Sequence, residues 1–260
     1  MLTTPERIAA ATKRRYGTAL EVPRGVPNLK ALAALNERSV CRRYRADPVP
    51  EEIVRLLCAT ALAAPTKSDL QQATLVRLAD PAKRAAVCAL LPGSPWLAQA
   101  PELFIFCADG WRLRRIFAKR DQAFPNEHLD AFFNASVDAA IALGAFVAAA
   151  ELAGLGTCPI SQIRDHVAKI DGLLELPDWV VPVAGLALGY PEQKEPLSAR
   201  LALAATVQTD RYDRAAIERE LDAYDARRGR DWSGDKVKQY STVWRADFGA
   251  HVRRKRFEVG

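Results

Sequence analysis

The chain has 260 residues, nearly half of them apolar, and a formal charge of +6. That allows a substantial core, as one large domain or two small ones, and favours anionic partners: a phosphate-bearing cofactor, nucleic acid or an acidic surface. The five cysteines are scattered without a C-x-x-C pair, and His128, His166 and His251 stand apart, which excludes a disulfide framework, a zinc site and a histidine-based triad or metal centre. No apolar signal core opens the sequence, so a reduced, cytoplasmic protein is expected.

Residues 1–35 are charged and then alanine-rich, split by Pro23 and Pro27 into two short helices with no evident chemistry. Arg38-Ser39-Val40-Cys41-Arg42-Arg43-Tyr44-Arg45 follows. Arg38 and Arg42 are four apart and would share one side of a helical turn. Two guanidinium groups beside a serine hold phosphate through charge-assisted hydrogen bonds, although a solvated basic loop has the same composition. Pro50, Glu51 and Glu52 open a helix whose buried face reads Ile53, Leu56, Leu57 and Ala61. It breaks at Ala64-Pro65-Thr66-Lys67-Ser68-Asp69-Leu70-Gln71-Gln72. That loop suits the rim of a planar polar ligand, and suits an ordinary turn as well.

A strand is expected over 73–79, a helix over 81–91, and a central strand at the apolar run 103–108. Residues 109–127 are basic and aromatic, read either as a mobile cover or as an exposed helix. The stretch from about Leu129 to Arg164 organises the rest. Val137, Ile141, Ala145, Ala148 and Leu152 recur at helical spacing, and the segment between Asp138 and Glu151 is apolar on every side. Ala140, Gly144 and Ala148 form a small-residue strip open to close approach by another helix. The apolar run falls short of the ~20 residues of a membrane span, so a buried core or subunit-interface helix is expected. Gly154-Leu155-Gly156 ends it. Thr157 to Gln162 then either presents bare backbone N–H groups to a flat ligand or simply connects helix to strand. A further helix over 163–174, a buried strand over 180–191 and a charged tail with aromatic anchors over 211–260 complete the chain, read as one domain with extensions at both ends.

In this order, RSVCRRYRADPVP, APTKSDLQQ, WLAQAPELFIFCAD, VDAAIALGAFVAAAELAGLGTCPISQIR and VPVAGLALGYP resemble the motifs of the FMN-dependent nitroreductase family, especially its NADPH-using oxygen-insensitive branch. The resemblance covers roughly residues 36–212, leaving 1–35 as a helical extension and 213–260 as a wrapping one. It implies an α+β fold, a central sheet wrapped by helices in an interlocked homodimer, with FMN at the subunit interface. Arg38 and Arg200 would grip the phosphate, near Ser39 and Val40, and Arg42 would tune the flavin from its pyrimidine edge. Pro65, Thr66, Lys67 and Asp69 would line the ring from the partner, Ile160, Ser161 and Gln162 would offer backbone groups, and Ser94 would sit close by.

Three positions depart from the family pattern: Val40 for serine, Asp69 for asparagine, and Ser198 for the lysine two before the late arginine. A carboxylate at Asp69 would lower the flavin potential. The implied activity is ping-pong transfer from NADPH or NADH to a nitroaromatic, quinone or related small acceptor, without metal, nucleic acid or membrane. Reductive dehalogenation, ring dehydrogenation, a non-catalytic flavin-binding protein and a basic nucleic-acid-binding protein are the alternatives. Arg112, Arg114, Arg115, Arg227, Arg228 and Arg230 are candidates for selecting NADPH by its extra phosphate.

Overall fold

The structure, a computed structural model, describes residues 2–259. In chain order its elements are α1 (Thr4–Tyr16), α2 (Leu29–Asn36), α3 (Glu51–Leu62), β1 (Ala73–Arg77), α4 (Pro81–Ala89), β2 (Glu102–Asp109), α5 (Trp111–Ala118) and α6 (Leu129–Leu152). There follow β3 (Gly156–Ile160), α7 (Val167–Leu174), β4 (Val180–Gly189), α8 (Leu203–Thr206), α9 (Arg214–Arg228), α10 (Trp232–Tyr240) and α11 (Phe248–Arg254). Two units emerge. The segment up to Ser39 groups with Lys194–Val243, and Val40–Gln193 groups with the segment from Trp244 onward.

The larger unit is α+β. Its sheet is antiparallel in the order β1-β2-β4-β3. All eight residues of β2 are buried, because helices cover both faces of the sheet. Side chains alternate along β2, so Phe104 and Phe106 enter one core and Leu103, Ile105 and Cys107 the other. The first core is closed by Val54 and Leu57 of α3 and by Phe146 of α6, whose ring meets Phe106 edge-on at 5.8 Å. The second is closed by Val87 of α4 and Ile170 of α7. The expected strand beginning at Ala73 is β1, and its central partner is β2.

The structure refines the reading of α6 in its length and in which side meets the sheet. It is 24 residues long and holds an 18-residue stretch of mean hydropathy 1.6, enough by length and composition alone to cross a membrane. What makes it a core helix is its packing rather than a short apolar run. Its buried side is Ala131, Ala135, Asp138, Ala139, Ala142, Phe146 and Ala150, the alanines letting the helix lie close to the sheet. The expected face is turned outward in the single chain: Val137 and Ile141 are 37% exposed and Leu152 52%. Gly154 ends the helix at φ 78°, where glycine carries no steric penalty. The segment after it is the edge strand β3, the helix-to-strand reading, and α5 is a largely exposed helix, the second of the two readings of that stretch.

The stretch after α2 is extended, so Arg38 and Arg42 do not share a helical face. Residues 41–45 run beside β3 and β4: Cys41 N–H donates to the Thr157 carbonyl at 2.9 Å and Arg45 N–H to that of Tyr190 at 2.9 Å. This approach requires Gly156, where a Cβ would stand 2.6 Å from that of Cys41.

The smaller unit is helical. α1 begins with a capping box, Thr3 N–H donating to Glu6 at 2.6 Å. Arg7 pairs with Glu37 through both carboxylate oxygens at 2.8 and 2.6 Å. α9 buries Tyr224 against Trp232 of α10, ring centroids 5.1 Å apart.

Candidate active site

In the smaller unit, Arg15, Arg38 and Arg200 line one cavity of about 270 Å³ together with Tyr16, Leu35 and Asn36. Arg38 Nε is buried there without a hydrogen-bond acceptor among the described residues. An unmatched buried donor is costly, and a cluster of guanidinium groups with such a donor suits a phosphate-sized anion. Arg200 donates to Ser198 Oγ at 2.6 Å. The segment around Arg200 is anchored to α9: Tyr224 OH donates to the Ala199 carbonyl at 2.9 Å and Arg227 to that of Arg200 at 3.0 Å.

In the larger unit, Pro65, Thr66, Lys67 and Asp69 lie on the loop that enters β1. Ser68, Asp69 and Gln71 all have positive φ, at 49°, 55° and 53°. Left-handed backbone costs non-glycine residues roughly 1–2 kcal/mol each, so this loop needs external support. Asp138 supplies it from the middle of α6, accepting the backbone N–H of Lys67 at 2.9 Å and of Gln72 at 3.0 Å. Arg112 braces the loop's end by donating to the Gln71 and Ala73 carbonyls, the latter at 2.6 Å. Beside it lies a cavity of about 540 Å³ lined by Pro65, Thr66, Thr74, Cys58, Asp138 and Arg112, among others.

At the other edge of the sheet, β3 delivers Ile160, Ser161 and Gln162. Ile160 is buried, while Ser161 and Gln162 are exposed. Ser94 is buried and donates its hydroxyl to Gln162 Oε1 at 2.9 Å, so these two expected site residues meet. Arg42 is exposed and lies over the Trp96 ring, 5.9 Å from its centroid. Val40 is partly buried against the core, which explains a hydrophobic residue at that position. Arg245, from the tail, stands 3.5 Å from Ser161 Oγ and pairs with Asp165. Arg164 next to it is held below the ordinary arginine range by burial and by Arg245, with Asp165 opposing.

The registers show both loops on the side of the sheet toward the end of β2, with β3 stopping level with the middle of that strand. β1 starts opposite Ala108 near the end of β2, and β3 ends opposite Gly185, which itself faces Ile105. They nevertheless occupy opposite edges, about 14 Å apart at the usual strand spacing.

Sequence reasoning missed Arg15, Asp138 and Arg245. Asp138 had a signal, a lone carboxylate inside an apolar helix. Arg15 and Arg245 had none, since each lies in a charged stretch like many others. Among the arginines considered for NADPH, Arg114 is buried and pairs with Glu127 through two contacts of 2.7 Å, and Arg112 is tied to Asp109 and the loop. Both are engaged within the fold, and Arg112 also lines the cavity beside the loop.

Residues 35–190 match the model of the nitroreductase family. The FMN reductase [NAD(P)H] of Bacillus subtilis is 28% identical, the alignment covering 88% of this chain and 98% of the relative. The oxygen-insensitive NADPH nitroreductase of Salmonella typhimurium is 30% identical over 82% of this chain and 85% of its own. The solved structure of the hypothetical oxidoreductase YcnD from Bacillus subtilis superimposes with a TM-score of 0.83, at 28% identity, over 88% of this chain and 98% of that one. The fold, an antiparallel sheet packed between helices, is the one shared with that oxidoreductase structure. The chain belongs to the nitroreductase family.

Proposed function

We propose that this protein is an FMN-dependent NAD(P)H oxidoreductase of nitroreductase type, acting on nitroaromatic, quinone or related small acceptors. The observation that carries this reading is the guanidinium cavity with the unmatched Arg38 Nε, in a chain of this family. The donor set fits the phosphate of FMN. The name of the Bacillus relative specifies FMN and NAD(P)H, and that of the Salmonella relative NADPH and nitro reduction.

When bound, FMN supplies the two-electron chemistry, accepting hydride from a nicotinamide and passing electrons to the acceptor. The protein's own residues bind and orient. Arg38 and Arg200 hold the phosphate, with Ser39 and Val40 on the same stretch. Arg42 places positive charge at the ring edge, steadied by Trp96. Ile160, Ser161 and Gln162 offer backbone groups, with Ser94 fixing Gln162. Pro65, Thr66, Lys67 and Asp69 line the ring from a second copy. No side chain is needed as a nucleophile.

A homodimer completes the site. Its support is the outward face of α6, where Phe133, Val137 and Ile141 are exposed beside Ala140 and Gly144, with Leu56 and Leu62 exposed on the neighbouring α3. A contiguous apolar face of this kind is what a two-fold interface buries. The five cysteines, scattered without a C-x-x-C pair, suit a reducing cytoplasm. The test is an absorbance spectrum of the protein reconstituted with FMN, recorded before and after anaerobic NADPH or NADH, then after adding a nitroaromatic or quinone. Bleaching followed by acceptor-driven recovery is expected. A protein that takes up no FMN, or is not bleached by either nicotinamide, would refute the reading.

A further inference from the structure

Arg15 lies on α1, outside the residues that match the family, and is 7% exposed. Its guanidinium donates to three carbonyls on two separate chain segments. Nε donates to Asn36 at 2.7 Å and Nη2 to Arg38, both on the segment that carries Arg38. Nη1 donates to Ser198 at 3.4 Å, on the segment that carries Arg200. The backbone carbonyl of Arg15 also accepts the Arg200 N–H at 2.6 Å. One residue therefore touches the main chain of both anion-gripping arginines, through its side chain and through its own peptide. α9 ties the Arg200 side: Tyr224 to Ala199, Arg227 to Arg200, and Glu220, which accepts the Ala202 N–H at 2.7 Å.

We infer that Arg15 is a positioning residue for the phosphate site, fixing the separation of Arg38 and Arg200 and adding a third positive charge to their cavity. The inference rests on the functional reading above. Two guanidinium groups grip one phosphate only when their spacing matches it, and planar multi-point donation by arginine is what a single lysine nitrogen cannot reproduce. The cation at Arg15 also strengthens anion binding electrostatically across a cavity of about 270 Å³. The consequence is specific: Arg15 governs recognition of the phosphate and leaves recognition of the flavin ring alone.

The experiment titrates full-length apoprotein with FMN and, separately, with riboflavin, which has the ring and no phosphate, following quenching of flavin fluorescence. Inorganic phosphate serves as a competitor for FMN. Arg15→Ala is expected to raise the FMN Kd roughly tenfold or more. Riboflavin affinity should be unaltered, and inorganic phosphate should lose potency. Arg15→Lys retains charge and the packing of α1 and is expected to recover only part of the loss, which keeps the test readable should alanine unfold the helix pair. Equal FMN affinity in wild type and both variants overturns the inference alone. Parallel weakening of FMN and riboflavin overturns it too, by assigning Arg15 a general structural role. A wild-type chain that binds neither flavin overturns the functional reading first and this inference with it.

Discussion

Asp138 Oδ1 accepts the backbone N–H of Lys67 at 2.9 Å, so the middle of α6 holds in place a loop that lies 71 residues earlier in the chain. The second carboxylate oxygen takes Gln72 N–H at the loop's other end, and Asp138 itself is 1% exposed. Removing the carboxylate strands two backbone donors, each worth about 1–3 kcal/mol when left unmatched. Asp138→Ala should therefore lower stability in urea by that order and expose residues 64–72 to limited proteolysis. Asp138→Asn, with only one acceptor oxygen, should fall between. Wild-type stability with an uncut loop would show that the loop holds its own shape.

Opposite charges near the ring should move the flavin potential in opposite directions. Asp69→Asn removes an exposed carboxylate and should raise the midpoint potential, whereas Arg42→Gln should lower it. For exposed charges the shift is on the order of 20 mV for a two-electron couple. Redox titration against indicator dyes measures both, and a potential that stays put or moves the other way removes the residue concerned from the site.

Gly144 faces outward on α6, and a Cβ there meets nothing within 4 Å in the single chain. Gly144→Glu should leave the individual fold intact while placing a carboxylate in the proposed interface. Light scattering should then report a monomer for the variant and a dimer for wild type, with FMN uptake lost in parallel. A variant that remains dimeric would move the interface elsewhere.

The docking of α11 should be sensitive to acid. Burial pushes the His251 imidazole below its ordinary range. Asp171 on α7 and Asp247 oppose this, and Arg254 and Lys255 reinforce it. A depressed folded-state value means the unfolded chain binds the proton more readily, so stability is complete above about pH 6.5 and declines as the pH falls below it. His251→Gln should flatten that slope in thermal melts between pH 7 and pH 5. An unchanged slope would show that other groups set the acid response.

Much of the architecture was legible because β2 and the segments around it carry strong one-dimensional signals. The apolar run 103–108 can only be a strand covered on both faces, and Pro50-Glu51-Glu52 marks a helix start without reference to anything distant. For α6 the sequence left core and subunit interface open, and close packing on the sheet selects the alanine side for the core. At 38–42 local spacing left a helical turn and a loop open, because the contact with β3 at Gly156 that settles it is tertiary. The site showed the same division. Arg38 and Arg200 were singled out through motifs and line one cavity, while Arg15 and Asp138 make contacts that reach across the sequence.

The left-handed run at Ser68, Asp69 and Gln71 has an implication for how this scaffold diversifies. Because its contour is imposed by a carboxylate on a distant helix, the side chains projecting from it are free to vary without the backbone following them. Specificity can then be rewritten residue by residue on a fixed frame, and the position that tolerates no such rewriting is Asp138.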